Sequence, residues 1–139
     1  MLGLKVLVAD DELHILQVVE YKLAAAGYRV FTAPCGQTAL QVALTEQPDL
    51  LITDLQMPNM DGLELCRRLY EQSRGSGEGR SERGEAARDI PAILLTARSH
   101  DLDGAGGTSL PPNLRRIVTK PFSPRQLVTA VREITGEAA

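Results

Sequence analysis

Short apolar runs, long enough for a strand and too short for a buried helix, recur along this chain, and most stop abruptly on a charged or hydroxyl-bearing residue. Leu4–Ala9 runs into Asp10-Asp11-Glu12, and Leu50-Leu51-Ile52-Thr53 ends on Asp54. Ala92-Ile93-Leu94-Leu95 ends on Thr96, and Arg116–Thr119 leads to Lys120-Pro121. Tyr28–Ala33 is the remaining run of this kind. Nearly unbroken β-branched and leucine-rich runs of this length are what strands buried on both faces look like.

The intervening segments carry helical spacing. Leu13, Leu16, Val19 and Leu23 mark a first helix, with Gly27 placed to end it. Ala39, Leu40, Ala43 and Leu44 mark a second before Pro48, and Leu63, Cys66 and Leu69 a third. The last helix has the clearest start: Ser123 as N-cap, Pro124 at the first helical position and Gln126 completing a capping box. Leu127, Val131 and Ile134 give it one apolar face.

Two stretches break the pattern. Residues 73–88 read SRGSGEGRSERGEAAR, without a large apolar side chain. Such a stretch cannot bury enough surface to offset its ordering entropy and is expected to be a flexible insertion. Between Ala97 and Pro112, where a helix is due, stand Gly104, Gly106, Gly107 and Pro111-Pro112. Each glycine costs up to ~1 kcal/mol in a helix, so a short or irregular helix is expected there.

Composition sets the outer bounds. A chain of 139 residues, 43% hydrophobic and 24% charged, can bury a core without staples, and one domain over 1–139 is expected. The net charge of −3 provides no general field for nucleic acid. Cys35 and Cys66 have neither metal-ligand spacing nor the density of a secreted scaffold, which favours a reduced, cytoplasmic setting. No apolar run approaches the ~20 residues that span a bilayer, and the first strand begins too early to leave room for a signal peptide. No membrane association is expected.

Strands alternating with helices imply a parallel sheet covered on both faces, with right-handed crossovers that bring every strand C-terminus to one edge. Asp10, Asp11, Asp54, Thr96 and Lys120 then surround one crevice. Carboxylates held about 4 Å apart repel by roughly 1 to 4 kcal/mol per pair, and a hard divalent cation relieves this. Neither His14, His100 nor either cysteine stands at a strand tip, so a soft metal is not expected. Helix capping accounts for part of the Asp10-Asp11 pair, but two adjacent acids exceed what a cap needs. Asp54 can attack phosphorus to form an aspartyl phosphate, a reaction whose demands are positioning and charge neutralisation. Mg2+ would neutralise one phosphoryl oxygen, Lys120 a second and the Thr96 hydroxyl a third. A cis Lys120-Pro121 bond would aim the lysine inward, and X-Pro is where such a bond costs little.

Taken together, Asp10-Asp11, the run Thr53–Gly62, Leu95-Thr96-Ala97 and Thr119-Lys120-Pro121-Phe122 resemble the receiver domains of two-component response regulators, and are similar to stand-alone chemotaxis-type receivers. The resemblance covers essentially the whole chain, in order. It implies a flavodoxin-like (βα)5 fold with strand order 2-1-3-4-5. It implies transfer of a phosphoryl group from a histidine kinase or histidine phosphotransfer protein onto Asp54, with Mg2+ (or Mn2+) as cofactor. Asp11, Asp54 and the Gln56 backbone carbonyl would ligate the ion, Asp10 would act through a water, Thr96 would be the switch hydroxyl and Lys120 would bridge to the phosphoryl group. Such a domain phosphorylates and dephosphorylates itself without being a turnover enzyme.

The chain also departs from that family. Ile117 stands where an aromatic usually couples to the switch threonine, the fourth helix is eroded, and the loop after the third helix is long. Phosphorylation is therefore expected to reorganise residues 97–112. No output domain and no DNA-binding module is expected within these residues, so the signal would pass to a partner in trans or to a domain of a longer protein. Gln56 and Arg98 flank the attack path and would tune hydrolysis. Two rival readings stand beside this one. An aspartyl-phosphate phosphatase would need a general acid where Gln56 stands, which an amide cannot supply. A phosphate-independent interaction module with the same fold is favoured by Ile117 and the broken helix, and disfavoured by the intact acids, Thr96 and Lys120.

Overall fold

The structure is a computed structural model that describes residues 3–74, 90–97 and 110–136. In chain order it comprises β1 (Lys5–Ala9), α1 (Leu13–Ala25), β2 (Arg29–Ala33), α2 (Gly36–Glu46), β3 (Leu50–Asp54), α3 (Gly62–Arg74), β4 (Ala92–Thr96), β5 (Leu114–Thr119) and α4 (Pro124–Thr135). The strands form one parallel sheet in the order β2-β1-β3-β4-β5, the expected flavodoxin-like arrangement.

Burial follows the order. Every residue of β3 and β4 is buried, whereas the edge strands β2 and β5 carry exposed positions. Successive side chains of a strand point to opposite faces, so each central strand feeds two cores. Val6, Val8, Leu50, Ile52, Ile93 and Leu95 pack with Leu16, Val19 and Leu23 of α1 and Leu127 and Val131 of α4. Leu7, Ala9, Leu51 and Ala92 pack on the other side with Ala39 and Ala43 of α2 and Leu65, Cys66 and Leu69 of α3. Small alanines on α2 let that helix lie close over β1.

The helix ends differ in how they are closed. Ser123 Oγ accepts from the amides of Arg125 and Gln126 while Gln126 Oε1 accepts from Ser123 N, the expected capping box. Glu12, at the N-cap of α1, makes no capping bond with its side chain. Gly27, just beyond that helix, has a φ of +102°, which suits glycine and lets the chain turn into β2.

Several boundaries differ from expectation. β5 begins at Leu114 rather than Arg116: an edge strand has water on one side and tolerates Arg115 and Arg116, which hide its start from a hydrophobicity pattern. The strands β1 and β2 each start one residue later than the runs suggest. α3 extends to Arg74, two residues into the Gly/Ser-rich stretch whose remainder, with residues 98–109 of the expected irregular helix, lies outside the described residues.

Asn113, just before β5, is buried and had no signature in the sequence. Its Nδ2 donates to the carbonyls of Cys66 (3.1 Å) and Ile90 (3.3 Å), joining α3, the entry to β4 and β5 at the end of the sheet away from the acids. An Asn113→Ala variant should lose about 1 to 3 kcal/mol in urea unfolding, because buried carbonyls lose their donor. A loss below about 0.5 kcal/mol, the scatter of surface changes, would show that the clasp does not hold these elements.

Candidate functional site

The parallel order brings the ends of β1, β3, β4 and β5 to one edge, and each end delivers a polar side chain. Asp10 follows β1 and is fully buried; Asp54 is the last residue of β3 and nearly so. Thr96 closes β4, also buried, and the Lys120 amide donates to its carbonyl at 2.7 Å, so the tips of β4 and β5 are tied together. The Lys120-Pro121 bond is cis. Lys120 Nζ lies 3.1 Å from Asp54 Oδ1, 3.6 Å from Asp10 Oδ2 and 3.6 Å from Glu12 Oε1.

Close backbone packing holds Asp54 in place. The Leu55 amide donates to the Leu95 carbonyl at 2.8 Å, and Gly62 N donates to Leu55 O at 2.8 Å, closing the loop that follows β3. A Cβ at Gly62 would overlap the Asp54 carbonyl oxygen and stand 2.8 Å from Leu94 Cδ1, so only glycine lets α3 start this close to the strand tip. Met57 and Met60 are buried on the α2–α3 side and anchor the loop, while Asp61 Oδ1 accepts from Glu64 N at 2.8 Å and caps α3. Asp11 and Gln56 are exposed and line an open cavity of about 700 Å³ with Met57, Pro58 and Asp61.

The electrostatics follow from burial. Burial pushes the Asp10 carboxyl up to about 6; the Glu12 amide that donates to Asp10 Oδ1 at 2.9 Å offsets this in part, and Asp54 adds to it. Burial also raises the Asp54 carboxyl from its ordinary value, against the hydrogen bond and charge of Lys120. For Lys120, burial alone would lower the ammonium, but the hydrogen bond to Asp54 and the charges of Asp10, Asp54 and Glu12 reverse this and hold it raised.

These groups fit a hard divalent cation. Asp10, Glu12 and Asp54 each present an oxygen within 4.8 Å of the others, and Asp10 Oδ2 is buried yet accepts no hydrogen bond. All-oxygen donors on a cluster of negative charge suit Mg2+ better than a soft metal. The structure thus brings Asp10, Asp54, Thr96 and Lys120 together as expected, with Asp11 and Gln56 on the rim. The expected set omitted Glu12; the only hint was its being a third acid in the Asp10-Asp11-Glu12 run. Ile117 is half-buried and packs on Leu55, Leu63 and Leu94, a cluster directly beside the tip of β3. Arg98 lies outside the described residues.

Comparison with known proteins agrees with this arrangement. Residues 6–132 match the response regulator receiver domain family. The chain is 36% identical over 130 residues to the alkaline phosphatase synthesis transcriptional regulatory protein PhoP of Bacillus subtilis, covering 94% of this chain and 48% of that protein. It is 35% identical to the probable transcriptional regulator ycf27 of Cyanophora paradoxa, over 94% of this chain and 47% of that one. The chain therefore spans about half the length of the curated relatives it matches. Among solved structures, it is similar to the chemotaxis response regulator CheY4 of Vibrio cholerae (TM-score 0.75, 28% identity, 96% of this chain and 99% of that one). It is also similar to the response regulator TrrA of Thermotoga maritima in complex with Mg2+-BeF (TM-score 0.72, 28% identity, 94% of this chain and 97% of that one).

The raised Asp10 carboxyl has a consequence for stability without metal. A carboxyl whose folded pKa of about 6 exceeds its ordinary 3.8 favours the fold when protonated, and that contribution is lost as pH rises through about 6. In EDTA near pH 7, Asp10→Asn should therefore be more stable than the parent by roughly 1 to 3 kcal/mol, and the difference should vanish near pH 4. Urea unfolding at the two pH values checks this; an Asp10→Asn protein less stable than the parent in EDTA near neutrality would contradict it.

Proposed function

This chain belongs to the response regulator receiver domain family of two-component signalling, and from that premise we propose that Asp54 is its phosphoacceptor. The observation that carries the proposal is Lys120 Nζ standing 3.1 Å from Asp54 Oδ1 at the floor of an acid-lined crevice. A carboxylate oxygen of Asp54 attacks the phosphorus of a phosphohistidine. The new O–P bond forms as the P–N bond breaks, its electron pair returning to the imidazole nitrogen. Charge spreads over the phosphoryl oxygens in the transition state. Lys120 neutralises one of them as a fixed point charge, and the Thr96 hydroxyl, carried by the adjacent strand tip, donates to another. Asp11, Asp54 and the Gln56 carbonyl would hold Mg2+ directly, with Asp10 acting through a water; when bound, the ion supplies further charge neutralisation.

As a receiver, the chain is a signalling module rather than a turnover enzyme. Its donor would be a histidine kinase or a histidine phosphotransfer protein in the cytoplasm, in keeping with two free cysteines. A largely apolar groove of about 540 Å³, lined by Ile15, Val18, Val19, Phe122 and, at its edge, Glu12 and Lys120, would offer such a donor a surface beside the pocket. Among the described residues no helix is long and apolar enough to cross a membrane. Downstream, the phosphorylated domain would act on a partner or on an output domain, as PhoP's designation as a transcriptional regulatory protein illustrates for that relative.

Incubation with Mg2+ and acetyl phosphate should add a single phosphate to the intact mass of the protein, and Asp54→Asn should abolish it. Absence of an adduct on the parent would favour the phosphate-independent interaction module, and an adduct that survives in Asp54→Asn would assign the chemistry to another residue.

A further inference from the structure

Lys120 has three N–H donors and three carboxylates within reach of its ammonium. Two of them, Asp10 and Asp54, are buried and belong to the phosphoacceptor pocket. Glu12 differs: its side chain is 62% exposed, it makes no capping bond to α1, and its backbone amide is pinned to Asp10 Oδ1 at 2.9 Å. Its backbone is thus held at the rim, and its carboxylate, though exposed, reaches to within 3.6 Å of Lys120 Nζ. Exposed glutamates are ordinarily solvated; this one lies 3.6 Å from a lysine that is only 18% exposed.

We propose that Glu12 is a positioning residue that holds Lys120 toward the α1 rim of the pocket and thereby slows both the gain and the loss of the phosphoryl group on Asp54. The inference rests on Asp54 being the phosphoacceptor. Asp10 and Asp54 are buried in the pocket, and an ion held by Asp11, Asp54 and the Gln56 carbonyl, as proposed above, would offset their charge without using Glu12. Glu12, exposed at the rim, is then the carboxylate that still competes with the phosphoryl oxygens for Lys120. Gain and loss pass through transition states of the same type, with charge on the same oxygens. In the loss, a water oxygen attacks phosphorus, the bond to Asp54 breaks with its pair returning to the carboxylate, and a water proton passes to the released phosphate or to solvent. Freeing Lys120 therefore accelerates both directions alike.

A simple field effect of Glu12 would act otherwise, repelling an anionic donor but not a neutral water. Glu12→Asp separates the two, because it keeps the charge but shortens the side chain by one methylene. A shorter Asp at this N-cap also bonds readily to the first amides of α1, drawing the carboxylate further from Lys120.

The test measures, for the parent, Glu12→Gln and Glu12→Asp, the rate of Mg2+-dependent labelling by acetyl phosphate and the rate of loss after the donor is removed, at low and high salt. Thermal unfolding confirms that the variants fold, as expected for an exposed side chain. Both variants should speed both steps by about two- to five-fold, the range of one partly exposed ion pair. Glu12→Asp behaving as the parent while Glu12→Gln speeds only labelling, in a salt-dependent way, would replace positioning by repulsion of the donor. Unchanged rates in both variants would overturn the inference and leave the Asp54 reading standing. A parent that takes no label would overturn that reading and this inference with it.

Discussion

One ammonium facing several carboxylates in a mostly buried pocket is the constraint on which this structure depends. At separations near 4 Å each like-charged pair costs on the order of 1 to 4 kcal/mol, and desolvation adds to that cost. Lys120 offsets part of it and a cation is suited to offset more. The fold tolerates the remainder because the same side chains sit on strands whose other residues are buried on both faces, so the apolar contacts of β1, β3 and β4 hold the acids where they would not gather by themselves.

The parts around the pocket keep that geometry narrow. Gly62 allows the start of α3 to touch the backbone of Asp54, the Leu55 amide binds β4, and the Lys120 amide binds the Thr96 carbonyl. Short backbone hydrogen bonds therefore link the segment around Asp54 to the tips of β4 and β5. Ile117, packed against Leu55, Leu63 and Leu94, joins β5 to the residue immediately after Asp54 through apolar contact. That cluster lies between the edge strand and the loop that follows Asp54.

Much of this was legible in the sequence, for physical reasons. Buried parallel strands announce themselves as apolar runs, and a charged residue that stops such a run must lie at the sheet's edge; Asp10, Asp54 and Lys120 were found this way. The Ser123-Pro124-Gln126 start of the last helix was equally clear, because capping is local chemistry. What escaped depends on contacts between distant residues. Asn113 looks like an ordinary loop asparagine until Cys66 and Ile90 are placed beside it. Glu12 reads as a solvated acid at a helix start, and only the position of Lys120, more than a hundred residues later, gives it a partner. The first residues of β5 were hidden by Arg115 and Arg116, which an edge strand accommodates and a central strand would not.

Phosphoryl transfer to Asp54 requires that the crevice take up a divalent cation between its acids. The most direct measurement is a titration of the isotope-labelled protein with MgCl2, followed by backbone amide NMR. Saturable shifts centred on residues 10–12, 54–56, 96 and 120, with one ion bound, are expected. Absence of saturable shifts, or shifts centred on acids away from the strand tips, would contradict a cation site in the crevice.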